Sequence, residues 1–200
     1  MKKMSTLLQK KKEEKKQNLI ESALELFLNK GINKTSIDEI VNKAKVAKGT
    51  FYLYFKDKTD VMQEIVCKLS RQVLSEGQAY VVAHDAGDFV ENVVLLIDYI
   101  IEYFKKNKML LRLLERNFSW PVLRNKLQSG ESDDVLDELL LTCMTSPYLI
   151  RYSEEQIYQM IYIIIEMVGS ICYSSIINEQ PSDVDTLKPM LYTIIRKILK

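Results

Sequence analysis

At 200 residues, with 47% hydrophobic side chains but only six glycines and four prolines, the chain has material for one large core or two smaller ones and points to an all-α fold with short connections. Its net charge of +1 hides a split: residues 1–60 carry 14 Lys and Arg against 8 Asp and Glu, a charge of +6, and residues 61–200 carry 14 against 19, a charge of −5. Three widely spaced cysteines and one histidine argue against a disulfide framework and leave little for a metal or His-based catalytic site, so no catalytic residue, metal ligand or cofactor is assigned.

Residues 1–12 read as a Lys-rich tail without periodicity. From Glu13 the pattern turns helical, with Ile20, Ala23, Leu24 and Phe27 on one stripe and Gly31 as the stop. The basic start of this helix suits a phosphate backbone or a minor groove, and its interleaved Glu13 and Glu14 suit an ordinary wet face equally well. A second helix is announced by Thr35 and Asp38 at capping-box spacing, repeated one step later by Ser36 and Glu39. Its buried side is Ile37, Ile40, Val41 and Ala44. After a turn at Lys45, a third helix faces Val46, Phe51 and Phe55 inward and leaves Lys48, Thr50 and Tyr52 outward. That succession is the grammar of a helix-turn-helix.

A fourth helix is expected over residues 60–76, as a lever leaving the basic head. Residues 84–87 read as a loop, and Asp88 as the cap of a strong amphipathic helix ending at Lys105-Lys106-Asn107. Shorter helices are expected over 109–117 and 134–144, separated by the Trp120-Pro121 break and a polar loop. The stretch 158–177 is apolar over a membrane-spanning length, but Glu166 near its middle favours a helix buried in a protein assembly. The helices at 153–178 and 185–200 each carry long apolar stripes, and Pro189 is tolerable only in a first turn. A two-fold, four-helix interface between copies of the chain would cover such stripes. The interface residues expected are Ile157, Ile161, Ile164, Val168 and Ile171 with Leu191, Ile194, Ile195 and Ile198. A monomer that covers them with its own earlier helices is the alternative.

The run Leu26-Phe27, Lys30-Gly31, Thr35-Ser36-Ile37-Asp38-Glu39-Ile40, Ala44, Val46-Ala47-Lys48-Gly49-Thr50-Phe51-Tyr52, Tyr54-Phe55 and Asp57-Lys58 closely resembles the TetR family of bacterial transcriptional regulators. The match spans about residues 15–65; the remainder resembles the family in architecture only. The resemblance implies a DNA-binding head over residues 1–60 and an α-helical ligand-binding and dimerisation body over 61–200. It also implies phosphate contacts from Thr35 and Ser36, a recognition helix opened by Lys48, Gly49 and Thr50, base contact from Tyr52, and phosphate contacts from Tyr54 and Lys58. Two positions depart from the family pattern. Lys45 stands where a glycine is usual, at a strain of about 1 kcal/mol if its backbone is left-handed, and adds a candidate phosphate contact. Ala47 stands where a Ser or Thr cap is usual.

The implied function is a ligand-responsive, dimeric regulator of transcription acting as a repressor on a near-palindromic operator. Its partners would be duplex DNA, a second copy of itself, and a small apolar or aromatic effector. Candidate pocket residues are Phe89, Tyr103, Phe118, Trp120, Met144 and Tyr162, with Glu166 or Glu102 able to pair with a cation. Without a leader-like apolar segment before Leu19, a cytoplasmic protein is expected. The rival readings are an enzyme, for which no phosphate loop or nucleophile elbow is present, and a helical adaptor that binds no DNA.

Overall fold

The computed structural model describes residues 2–114 and 134–200, and every regular element among them is helical. In chain order these are α1 (Lys2–Lys30), α2 (Ile37–Lys43), α3 (Lys48–Tyr52), α4 (Lys58–Ala83), α5 (Phe89–Lys106), α6 (Lys108–Leu114), α7 (Asp134–Met144), α8 (Glu154–Cys172) and α9 (Val184–Leu199). α8 runs on as a π-helical turn, Tyr173–Ile177. The chain divides into two compact units, Met1–Ile65 and Val66–Lys200, and the division falls within α4.

The first unit is built on α1. α1 packs on α2 and α2 on α3, and Leu19, Ala23 and Phe27 of α1, Ile40 and Val41 of α2, Phe51 of α3 and the following Phe55 are all buried. α1 begins at Lys2, so the expected Lys-rich tail is helix; Lys, Glu, Gln, Met and Leu are all good helix formers. Gly31 ends it with a φ of 82° and donates its N–H to the Phe27 carbonyl at 2.9 Å. The cap of α2 is Ser36 rather than Thr35. The Ser36 Oγ accepts from the Glu39 N–H, and the Glu39 carboxylate accepts from the Ser36 N–H at 2.8 Å.

In the second unit α5 is the central strut. Asp88 caps it by accepting from the N–H groups of Val90 and Glu91, and the Tyr148 hydroxyl donates to the same carboxylate at 2.6 Å. α5 packs on α6, α8 and α9, and Ile97, Ile101 and Phe104 on it are buried, as are Leu111, Leu149, Ile157, Leu191 and Ile195. On the outer side Lys188 bridges Asp98 and Glu102, while Arg196 grips both oxygens of Glu91, clamping α9 to α5. α9 starts at Val184, capped by Asp183, which puts Pro189 in the second turn instead of the first. The helix therefore gives up the N–H that would serve the Asp185 carbonyl.

α4 continues seven residues past the expected end at Glu76, through Gly77. That glycine has a packing reason: a Cβ there would lie 2.6 Å from Leu96 Cδ1 and 3.1 Å from the Tyr99 ring. A side chain at this position would require the Leu96 side chain and the Tyr99 ring to shift.

The segment Glu154–Ile177 is long and apolar enough to cross a membrane, with mean hydropathy 1.8 over an 18-residue window. Only 28% of that window is buried within the chain. Its buried side is Ile157, Ile164, Val168 and Cys172; its exposed side includes Tyr162 and Ile163. This corrects the expected interface. Ile157, Ile164 and Val168 of α8 and Leu191 and Ile195 of α9 belong to the chain's own core, where α5, α8 and α9 pack on one another. Ile161, Ile171 and Ile198 are half-buried, and of the nine expected interface residues only Ile194 is exposed. On these two helices the exposed large apolar side chains are Tyr162 and Ile163 of α8 and Met190 and Ile194 of α9.

Candidate nucleic-acid interface

α3 is five residues long, too short to persist by hydrogen bonding alone, and is held in place by Phe51. That ring is fully buried and packs against Phe55 with centroids 5.6 Å apart. With Phe51 fixed inward, the rest of the helix faces out: Lys48, Gly49 and Tyr52 are exposed and Thr50 half-exposed. Tyr52 is 53% exposed, set edge-on against Phe51 at 5.4 Å, and Leu53 beside it is 76% exposed. Sequence reasoning passed over Leu53, since an apolar residue one step beyond a helix end carries no periodic signal.

Lys48 pairs with Asp38 of α2 at 2.8 Å, and this hydrogen bond raises the lysine's pKa. Both groups are open to solvent, so the pair orients the ammonium without burying it. Gly49 has nothing within 4 Å of where a Cβ would stand. A glycine in a helix costs about 1 kcal/mol relative to alanine, and no neighbour among the described residues requires this one.

The turn between α2 and α3 bears out both departures noted in the sequence. Lys45 has a φ of 56°, the left-handed region that glycine occupies without strain. Its side chain is exposed. Ala47 occupies the cap position of α3 with extended backbone and offers no side-chain acceptor. Ala47→Ser should stabilise the first unit by about 1 kcal/mol, read as a rise in the denaturant midpoint with unchanged slope.

Three of the expected phosphate contacts have other duties. Thr35 is 1% exposed, and its hydroxyl donates to the Gly31 carbonyl at 2.9 Å, so it closes the α1–α2 turn instead of facing outward. The Lys58 ammonium, half-buried, donates to the carbonyls of Ile32 at 2.8 Å and Thr35 at 2.6 Å. These are loop acceptors that would otherwise need water, so this lysine ties the start of α4 to the α1–α2 turn. The Tyr54 hydroxyl donates to the Lys12 carbonyl at 2.9 Å and tethers the turn after α3 to α1. Ser36 is exposed, though its N–H and hydroxyl already serve the capping box. The neighbouring Glu39 has its pKa pulled down to about 2, first by the Lys30 ammonium and then by Ser36. What the fold brings together on the outer face is Lys48, Gly49, Thr50 and Tyr52, with Lys45 at the turn before them.

The second unit holds an apolar cavity of about 160 Å³. Its wall includes Phe89, Leu96, Ile100, Phe104, Leu140, Cys143, Met160, Ile164 and Cys172. Burial pushes the Cys143 thiol up to about 11 and the Cys172 thiol up to about 12, so both line the cavity as neutral groups. A wider recess of about 540 Å³ shares Phe89, Val93, Leu96, Leu139 and Cys143 with this cavity and is rimmed by Gln78, Asp85, Asp88, Asn92, Glu138 and Thr142. Of the expected pocket residues, Phe89 lines both spaces. Tyr103 stands edge-on to Phe104 outside the wall, Met144 is not part of it, and Tyr162 points to the exposed face of α8. Phe118 and Trp120 lie outside the described residues. Among the described residues no group of three His, Cys, Asp or Glu is placed to hold a metal ion.

Residues 19–65 match the sequence model of the bacterial regulatory proteins of the tetR family. Over 99 residues the chain is 32% identical to the uncharacterized HTH-type transcriptional regulator YvdT of Bacillus subtilis, covering 50% of each protein. Over 90 residues it is 32% identical to the HTH-type transcriptional regulator AcrR of Shigella flexneri, covering 45% of this chain and 41% of that one. The chain thus spans half or less of the length of these curated relatives. Among solved structures, Thermus thermophilus FadR, a TetR-family repressor in complex with lauroyl-CoA, superposes with a TM-score of 0.61 at 18% identity, over 92% of this chain and 95% of that one. That likeness is one of fold: an N-terminal helix-turn-helix followed by a helical body.

Proposed function

We propose that the chain is a ligand-responsive repressor of transcription of the TetR family, a reading supported by the match of residues 19–65 to that family's sequence model and by the regulators it resembles. The observation that carries the reading is the outer face of α3. Its lysine, its glycine without an intramolecular reason, and its half-exposed tyrosine stand on a helix whose other face is locked by Phe51. Lys48 and Lys45 supply charge for phosphates, Gly49 lets the backbone come close, and Tyr52 with Leu53 offers apolar surface to base edges such as a thymine methyl. Thr35, Tyr54 and Lys58 hold the turns that aim this face.

The repressor would act as a homodimer, with two α3 helices in successive major grooves of a near-palindromic site. The exposed apolar strips of α8 and α9 are the surface assigned to dimerisation, since a soluble chain gains by covering them. A small apolar effector in the second unit would act through α4, whose residues belong to both units, by favouring one placement of the head over another. A cytoplasmic location follows from this reading. The adaptor alternative leaves the exposed face of α3 without a role.

The test is an anisotropy titration of the full chain against a duplex from the DNA upstream of its gene and against a shuffled duplex, at several salt concentrations. Preferential binding to the upstream duplex, with a steep fall in affinity as salt rises, is the expected result. Equal and feeble binding to both at low salt would refute the DNA-binding reading.

A further inference from the structure

We infer that Lys11, Lys12 and Lys15 of α1 form a second DNA-contacting surface, which grips the phosphate backbone alongside the groove that receives α3. The inference rests on the DNA-binding reading and adds to it a surface outside the helix-turn-helix. All three side chains are exposed, and none has a carboxylate partner among the described residues. By contrast Lys16, Lys30, Lys43 and Lys48 of the same unit are paired with Glu64, Glu39, Glu25 and Asp38. Positions 11, 12 and 15 fall within about 100° of the helix circumference, while Glu13 and Glu14 lie on the opposite side with Lys10. Lys11 and Lys15, four apart on one face, repel each other. Nothing among the described residues offsets that repulsion, and a polyanion would.

Two contacts join this surface to the two ends of α3. Just past its end, the Tyr54 hydroxyl donates to the Lys12 carbonyl at 2.9 Å. Just before its start, Lys45 lines a recess with Asn18 and Ser22 of α1. Lys11, Lys15, Asn18 and Ser22 are four, three and four residues apart, so they share one face of α1. The two lysines thus extend, by roughly 5 and 10 Å beyond Asn18, the face that Lys45 stands beside. α3 itself is only about 7 Å long, whereas duplex DNA carries one charge per about 1.7 Å of its axis, so phosphates continue past both ends of α3. A lipid surface is the poorer partner: residues 9–17 hold no apolar side chain with which a basic helix could enter a bilayer.

The test is the anisotropy titration of the full chain and of its Lys11→Gln/Lys12→Gln/Lys15→Gln variant against the upstream and shuffled duplexes. Glutamine keeps the helix propensity and removes the repulsion, so the variant should melt at or above the parent's midpoint. It should bind the upstream duplex about tenfold or more weakly, with a slope of log affinity against log salt shallower by about two to three. Its preference for the upstream duplex should be unchanged, because phosphate contacts carry no sequence information. Lys11→Gln alone should flatten the slope more than Lys10→Gln does. Tyr54→Phe should weaken binding in the parent and have no effect in the triple variant, since the tether acts through the lysines. A triple variant with the parent's affinity and slope would overturn the inference and leave α3 as the reading element. Equal slope changes from Lys10→Gln and Lys11→Gln would overturn it too, as the mark of net charge alone, and so would tighter binding to anionic vesicles than to either duplex. A parent that binds both duplexes equally and feebly removes the DNA-binding reading and this inference with it.

Discussion

Tyr52→Ala should lower affinity for the upstream duplex by about tenfold or more, a loss of one good base contact, while leaving the folded protein as stable as before. The ring is more than half exposed and touches the core only by its edge against Phe51, so folding depends little on it. Tyr52→Phe separates the two halves of the side chain: retained affinity assigns the contact to the ring face, lost affinity to the hydroxyl. Lys48→Ala should also weaken binding, but its signature is different. It should reduce the slope of log affinity against log salt by about one and weaken all sequences alike, since it answers to phosphate. Part of its contribution is offset in the free protein, where the ammonium leaves Asp38 to reach the DNA. Lys58→Ala is the control that tests the revised roles. Because Lys58 is bonded to the Ile32 and Thr35 carbonyls, its loss should lower the thermal midpoint and leave the salt slope unchanged. A Tyr52→Ala protein that binds the upstream duplex as the parent does would remove α3 from the interface.

What could be read from the sequence was the part encoded by period and local chemistry. Phe51 and Phe55 at i and i+4 must share a face, and both are buried as that spacing requires. Asp88 before an amphipathic run marks a helix start, and Gly31 after one marks a stop. Lys45 and Ala47 were visible as departures from a pattern, and each has the conformation that pattern implied. What could not be read was where a polar side chain finds its partner across a turn. Thr35 and Lys58 look like surface groups in a string of letters. Only the folded α1–α2 turn, with its carbonyls at Gly31, Ile32 and Thr35, makes one a buried donor and the other a cross-brace. The cavity was opaque for a similar reason. Aromatic content marks residues that want burial, and Leu96, Cys143 and Cys172 line a space set by the spacing of helices, which leaves no signature along the chain.

The same limit governs the second large effect, and two adjacent isoleucines expose it. Periodicity places both Ile163 and Ile164 on apolar stripes of α8 without saying which stripe the chain covers for itself. Ile164 is 8% exposed and lines the cavity, while Ile163 is 53% exposed. Ile163→Glu should therefore leave a folded protein that sediments as a monomer at micromolar concentration, because a carboxylate in the centre of an apolar interface loses solvation without a partner. Its affinity for a palindromic duplex should fall steeply, since two linked heads bind far more tightly than one. Ile164→Glu should act on the fold itself. A buried, unpartnered carboxylate beside a lost aliphatic contact costs about 3–5 kcal/mol, enough to unfold a marginal body. Monomer with an intact melting transition from the first variant, and loss of that transition from the second, is the expected pair of results. A dimer that survives Ile163→Glu would place the contact between copies elsewhere and return the exposed strip of α8 to some other partner.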